Sequence, residues 1–274
     1  MPLNYLLILF GTGLGIGLIS GLVGIGGGII MTPVQYWIYT SAGMSPDLAI
    51  KISIATSLAT VLPTAISGAI RHHRLGNIHW KAAVFMGIIT AIASFLGASV
   101  ATHVSGDILK IIFGSIAILV AIRMLTVKVS DEDRPVKEDR WLWLGIATGI
   151  GLLSGITGVG GGIFIVPALV LLLGFRTHRA AATSLAMVIF TSIGGIVGYV
   201  VNGLTVTNLP DHTIGYIYWP AWIALSVGSI GTAQLGAAIA HKAPPRILNY
   251  ILTILLVFIG LDMLGAISWI AGKL

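Results

Sequence analysis

The chain has 274 residues, of which 56% are hydrophobic and 9% charged, and its mean hydropathy is +1.00. Soluble domains carry roughly a quarter charged residues, so there is too little polar surface here to cover a water-exposed globule. The net charge of +6 marks cytoplasmic loops of a membrane protein rather than a nucleic-acid footprint, and without cysteine the chain holds no disulfide, thiolate metal site or cysteine nucleophile.

Taken in order, the apolar segments are 3–23, a short arm at 29–40, and spans near 47–70, 80–102 and 108–126. A hydrophilic stretch at 128–140 follows, then segments at 141–157, 163–173, 177–201, 217–239 and 247–270. Most match the roughly 20 residues a helix needs to cross a bilayer. The opening Met1-Pro2-Leu3-Asn4-Tyr5 has no basic residue before the apolar run, so the first segment is expected to stay in the mature protein rather than act as a cleaved signal peptide.

The order of elements repeats. With Gly17 set against Gly151, Ser20 matches Ser154, Gly24 matches Gly158, Gly26-Gly27-Gly28 match Gly160-Gly161-Gly162, and Pro33 matches Pro167. Ala55-Thr56-Ser57-Leu58 recurs as Ala182-Thr183-Ser184-Leu185, Leu96-Gly97-Ala98 as Leu235-Gly236-Ala237, and Met124-Leu125 as Met263-Leu264. The chain therefore divides into a first membrane repeat at 1–127, a cytoplasmic linker at 128–140 and a second repeat at 141–274.

Charge sets the expected topology. Arg71, Arg74 and Lys81 share one loop; Arg123, Lys128, Arg134, Lys137 and Arg140 surround the linker; Arg176 and Arg179 share another, as do Lys242 and Arg246. Loops near 41–47, 103–107 and 202–216 lack Lys and Arg. Placing the basic loops in the cytoplasm turns the halves upside down relative to one another. The expected fold is an all-α integral membrane protein of two inverted repeats, each a Gly-broken helical hairpin plus three transmembrane helices. Tryptophans 37, 80, 141, 143, 219 and 269 lie near predicted ends, as interfacial anchors do.

Inverted repeats with Gly- or Pro-interrupted helices at matching positions point to a transporter's binding site. Consecutive glycines weaken a helix by about 1 kcal/mol each relative to alanine. The chain opens there and frees backbone N–H groups, which survive in a membrane only where they line a cavity or are buried in protein. A helix starting after such a break aims its N–H groups and positive dipole end at the tip, favouring an anion. Pro33 and Pro167 fit early in that helix, where a missing N–H goes unnoticed.

The candidate substrate-binding residues are thus Gly24, Gly26, Gly27, Gly28 and Thr32 with Gly158, Gly160, Gly161 and Gly162. Thr56, Ser57, Thr183 and Ser184 join them as hydroxyl donors near the midplane, where back-bonding to the preceding turn is the ordinary alternative. Lys51 suits either a charged funnel or snorkelling to the interface. Gln35 and Gln234 are buried polar candidates. Carbonyls ending each first arm suit a cation, so a coupling proton or Na+ fits the same tips.

The two stretches GLVGIGGGIIMTP (21–33) and GITGVGGGIFIVP (155–167), with the A-T-S-L element after each, resemble the sulfite exporter TauE/SafE family of membrane permeases. The resemblance covers nearly the whole chain and implies transport of sulfite, sulfonates or related sulfur-containing anions across the cytoplasmic (inner) membrane of a bacterium, usually outward. Thr32 and Gln35 are replaced by Val166 and Leu169 in the second copy, so the two tips are unequal.

Other classes fit less well. Cation uptake needs carboxylates at membrane depth, yet Asp47, Asp107, Asp211 and Asp262 lie near segment ends and the other acids lie in the linker. An intramembrane hydrolase needs a Ser/His or paired-Asp arrangement inside the spans, and Ser57 and Ser184 have no histidine at their depth. The histidines show no metal-ligand spacing. No catalytic residue, metal or cofactor is expected, and the expected partners are a small anion and membrane lipid; a non-transporting membrane scaffold is the remaining alternative.

Overall fold

The structure, a computed structural model, describes residues 3–23, 27–126, 136–239 and 245–266. Ten helices are described: α1 (Leu3–Val23), α2 (Gly28–Ser41), α3 (Pro46–Arg74), α4 (Trp80–His103), α5 (Gly106–Thr126), α6 (Arg140–Thr157), α7 (Gly162–Leu171), α8 (Thr177–Gly203), α9 (Trp219–Ile239) and α10 (Pro245–Met263). Helix is the expected solution in lipid, because it pairs every backbone N–H and C=O within its own segment. Among the described residues four helices, α3, α4, α5 and α8, are long and apolar enough to cross a membrane. Helix α2 has 14 residues and α7 has 10. At 1.5 Å per residue they reach only about 21 Å and about 15 Å, short of the roughly 30 Å hydrocarbon core.

Two differences from the sequence expectations have clear causes. The span expected from residue 217 begins at Trp219, because Ile217–Tyr218 pair antiparallel with Thr213–Ile214 as strands β2 and β1 before the helix starts. The prolines sit deeper than expected: Pro33 and Pro167 are each the sixth residue of their helices. That is past the first turn, so each removes a donor that would reach the carbonyl four residues back. The carbonyls affected are those of Ile29 and Ile163. The ends of the predicted span at 247–270 and Trp269 fall partly outside the described residues.

Helices α3 and α8 form the buried centre. Leu58, Ala55 and Ile52 on α3, and Ala182, Ala186 and Met187 on α8, are nearly or fully enclosed. The outer helices keep apolar residues on the surface, such as Ile88, Ile92, Leu96 and Val100 on α4 and Leu119 and Ile122 on α5. That is the pattern of helices facing lipid.

The central pair runs antiparallel and packs by matched contacts. A Cβ added to Gly68 would lie 3.0 Å from Leu185, and one added to Gly195 would collide with Leu58. Leu58 and Leu185 occupy matching positions of the A-T-S-L elements. Other contacts pair off in the same way: Thr64 hydroxyl meets Ser229 hydroxyl at 3.2 Å, and Thr191 hydroxyl donates to Thr90 at 2.9 Å. Gly17 lies against Ser229 and Thr232 of α9, while Gly151 lies against Thr90 and Ala93 of α4. Small residues here let backbones approach closely, as membrane helix packing favours. The N-terminus of α6 is capped conventionally, with the Asp139 carboxylate accepting from the N–H groups of Trp141 and Leu142.

Candidate functional site

The second glycine stretch is a sharp turn between α6 and α7. Helix α6 closes on Gly158 (φ 71°), whose N–H donates to Ser154 O at 2.8 Å. Gly160 and Gly161 follow at φ 81° and 86°. L-residues with a Cβ resist this left-handed region, which is why glycine is required here. Phe164 and Ile165 both donate to Gly161 O at 2.9 Å, starting α7. Among the described residues, the N–H groups of Val159, Gly160, Gly161, Gly162 and Ile163 have no hydrogen-bond partner. The first stretch ends in the same way: Gly27 (φ 73°) precedes α2, and Ile30 and Met31 donate to its carbonyl at 3.1 and 3.2 Å. Gly24 and Gly26 lie outside the described residues.

The two turns touch. A Cβ on Gly28 would stand 2.8 Å from Gly158 O and 2.9 Å from Val159 Cα. One on Gly158 would stand 2.5 Å from Ile54 O, and one on Gly160 2.6 Å from a Val61 methyl. The two turns therefore press their backbones against each other, and the second also presses against α3, with Thr56 and Ser57 on the stretch of α3 between Ile54 and Val61. A small cavity opens beside the first turn, lined by Ser20, Gly27, Ile29 and Ile30 with Ile163 and Leu256.

The predicted hydroxyls are all buried, but their partners differ. Thr56 Oγ1 accepts the Tyr218 backbone N–H at 3.1 Å, and Thr183 Oγ1 accepts the His79 backbone N–H at 3.1 Å. Tyr218 and His79 each precede the tryptophan that starts α9 or α4. The matched threonines thus hold the matched helix starts of the opposite half. Ser57 Oγ accepts from Gln35 Nε2 at 2.7 Å, and Tyr39 donates to Gln35 Oε1 at 2.9 Å. Ser184, matched to Ser57, has no hydrogen-bond partner, because the position matching Gln35 is Leu169. Thr32 back-bonds to Gly28 O at 3.1 Å.

Lys51 is 8% exposed and pairs with Asp47 at 3.0 Å; the other Asp47 oxygen accepts the Gly106 N–H at 2.6 Å. Its ammonium is thereby matched by a carboxylate, and it neither stands as a free charge nor reaches into the turns. Gln234, expected to be buried, is exposed and bonds Ser67 at 3.0 Å. No cluster of three or more His, Cys, Asp or Glu that could hold a metal occurs among the described residues.

Sequence reasoning missed the aromatic layer over the site. Tyr39 packs edge-on to Tyr218 with centroids 6.0 Å apart, and Tyr199, donating to Gly155 O at 2.9 Å, packs edge-on to Tyr216. On the other side His79 packs edge-on to Phe175 and Trp143. The matching Trp80 and Trp219 were the available signal for these paired helix starts. Outside the spans, the Lys81 ammonium bonds Glu138 and holds its carboxyl below the usual range.

Apolar helices long enough to span, two short helices starting from buried glycine turns, and lipid-facing outer surfaces define a multi-pass membrane protein. The chain belongs to the family described as sulfite exporter TauE/SafE, whose model matches residues 9–263. It is 34% identical over 252 residues to a probable membrane transporter protein of Methanocaldococcus jannaschii, covering 91% of each chain. It is 29% identical over 250 residues to a probable membrane transporter protein of Haemophilus influenzae, covering 90% of this chain and 93% of that one. A third relative, the probable membrane transporter protein YunE of Bacillus subtilis, is 27% identical over 275 residues. No solved structure matches the chain. The chain is a membrane transporter.

Proposed function

We propose that the protein is a secondary transporter of small sulfur-containing anions, sulfite, sulfonate or similar, working by alternating access about the two glycine turns. The observation that carries this is the meeting of two side-chain-free turns inside the protein, with unpaired N–H groups at the start of α7. Such donors are the ordinary means of holding an anion at a helix N-terminus. The family supports a sulfur oxyanion as the cargo.

Alternating access draws support from the paired contacts. The halves, 1–127 and 141–274, act as inverted repeats in the cytoplasmic membrane, with the basic loops facing the cytoplasm. The Tyr218–Thr56 bond closes the external side and the His79–Thr183 bond the cytoplasmic side. Opening one side breaks one bond and leaves the other. A coupling proton or Na+ would act through the Ile29 and Ile163 carbonyls that the prolines deprive of donors.

The test is flux in proteoliposomes. Purified protein should drive saturable movement of labelled sulfite, and thiosulfate, sulfate and organosulfonates should compete according to their fit. Absence of saturable movement for every one of these anions, with the protein folded and inserted, refutes the proposal.

A further inference from the structure

The last residues of the linker are tied down at both ends. The Lys137 N–H donates to Leu173 O at 2.9 Å, just past α7, and the Trp143 indole of α6 donates to Lys137 O at 2.9 Å. Val136 packs against the core beneath, and the Asp139 carboxylate caps α6. Residues 136–139 are thus fixed to α6 and to the connection between α7 and α8, largely through backbone groups. Their polar contacts with the start of α4, among the described residues, all pass through one carboxylate. Glu138 bonds the Lys81 ammonium with one oxygen, and its other oxygen lies 3.8 Å from His79 Nε2.

His79 connects this carboxylate to the cytoplasmic closure. Its backbone N–H donates to Thr183 Oγ1 on α8 at 3.1 Å. Its Nδ1 accepts the Ala82 N–H at 3.2 Å, which leaves the ring proton on Nε2, the nitrogen facing Glu138. The ring is enclosed edge-on by Trp143 and Phe175, with centroids 6.4 and 5.3 Å away. Separating His79 from Thr183 carries the start of α4 away from α8. Glu138 must then release Lys81, because its own backbone stays with α6 and the end of α7.

We infer that residues 136–139 form a strap that holds the cytoplasmic side shut, with the Glu138–Lys81 pair as its releasable catch. The two side chains are 45% and 62% exposed, so the pair contributes little and is screened by salt. Such a catch biases the closure without barring it. The external closure is built from other parts. Tyr218 follows directly from β1 and β2, where Gly215 rests on Val200 and the Tyr216 ring packs on Tyr199 of α8. Added salt therefore loosens the cytoplasmic side and leaves the external side as it is. This inference rests on the alternating opening proposed above and adds what restrains one of its two sides.

The experiment uses the full-length protein and two matched reporters, Ala82→Cys and Ala221→Cys. Both alanines are fully buried, and they lie two residues after the matching Trp80 and Trp219. Labelling rates with a polar maleimide are measured in detergent, with thermal unfolding followed in parallel. Glu138→Gln should speed labelling at position 82 by roughly two- to fivefold, the worth of an exposed ion pair, and leave position 221 unchanged. Glu138→Lys should speed it further, and Lys81→Glu combined with Glu138→Lys should restore the wild-type rate. Raising NaCl from about 0.1 M to about 1 M shortens the screening length from about 10 Å to about 3 Å. That should speed labelling at position 82 in the wild-type background and have no effect in Glu138→Gln. Unchanged labelling at position 82 in both Glu138 variants overturns the strap, and so does an equal rise at both reporters, which marks general loosening. Sulfite flux that persists in either case leaves the proposed transport standing. Absence of flux in wild type with the labelling pattern intact refutes the cargo and not the strap.

Discussion

Replacing Gly158 with alanine puts a Cβ 2.5 Å from Ile54 O and 2.9 Å from Ile54 Cα, in a residue at φ 71°. The left-handed conformation costs an L-residue about 1–2 kcal/mol. The collision is with α3 backbone rather than with a side-chain end that swings aside, and overpacking of this kind costs about 1–3 kcal/mol more. The expected total is roughly 2–5 kcal/mol. Gly43 provides the internal control: at φ 88° it carries the same conformational demand, but nothing lies within 4 Å of an added Cβ. Gly43→Ala should therefore lose only about 1–2 kcal/mol. Gly160→Ala should fall between them, because its nearest obstacle is a Val61 methyl. The assay is equilibrium or thermal unfolding of the purified variants in detergent. Equal stability of Gly158→Ala and Gly43→Ala would falsify the claim that the turn is wedged against α3.

Other perturbations address the polar groups. Thr56→Val orphans a buried backbone N–H and should destabilise by about 1–3 kcal/mol, and Thr183→Val, which orphans the part-buried His79 N–H, should fall toward the lower end; because the native chain lacks cysteine, single introduced cysteines can report which side opens. Thr56→Val should raise labelling from the external face and Thr183→Val from the cytoplasmic face, and the same change from both would refute separate gates. Ser57→Ala leaves the Gln35 amide short of a partner and should cost about 1–3 kcal/mol, whereas Ser184→Ala should cost nothing, a contrast read by unfolding. Glu138, its carboxyl lowered by Lys81, contributes to docking of the linker above its ordinary pKa; that contribution is lost as pH falls through the lowered value, and Glu138→Gln should remove this dependence in a pH series of linker proteolysis.

Much of the framework could be read from the sequence because membrane helices are set by apolar length. Segment limits such as 80–102 and 141–157 fall within a residue or two of α4 and α6. The glycine breaks were also legible, since three glycines before a short apolar arm oppose continuous helix. Side-chain pairing was not legible. That Thr56 holds the Tyr218 amide while Thr183 holds that of His79 depends on where α9 and α4 start against the opposite half. The same holds for Ser184, whose hydroxyl is unpaired because a residue 15 positions earlier, on another helix, is Leu169 rather than glutamine. Gln234 looked buried by its apolar neighbours, but its phase on α9 turns it outward.

The most direct test of anion capture at the glycine turns is sulfite titration of Gly161→Ala. A Cβ there meets its nearest neighbours at 3.3–3.6 Å, so the variant should fold with little more than the left-handed cost of about 1–2 kcal/mol. The added methyl nonetheless puts a side chain on a turn whose proposed binding role depends on bare backbone. Loss of sulfite binding in a folded Gly161→Ala protein is the predicted result; unchanged binding would place the anion elsewhere and contradict the account.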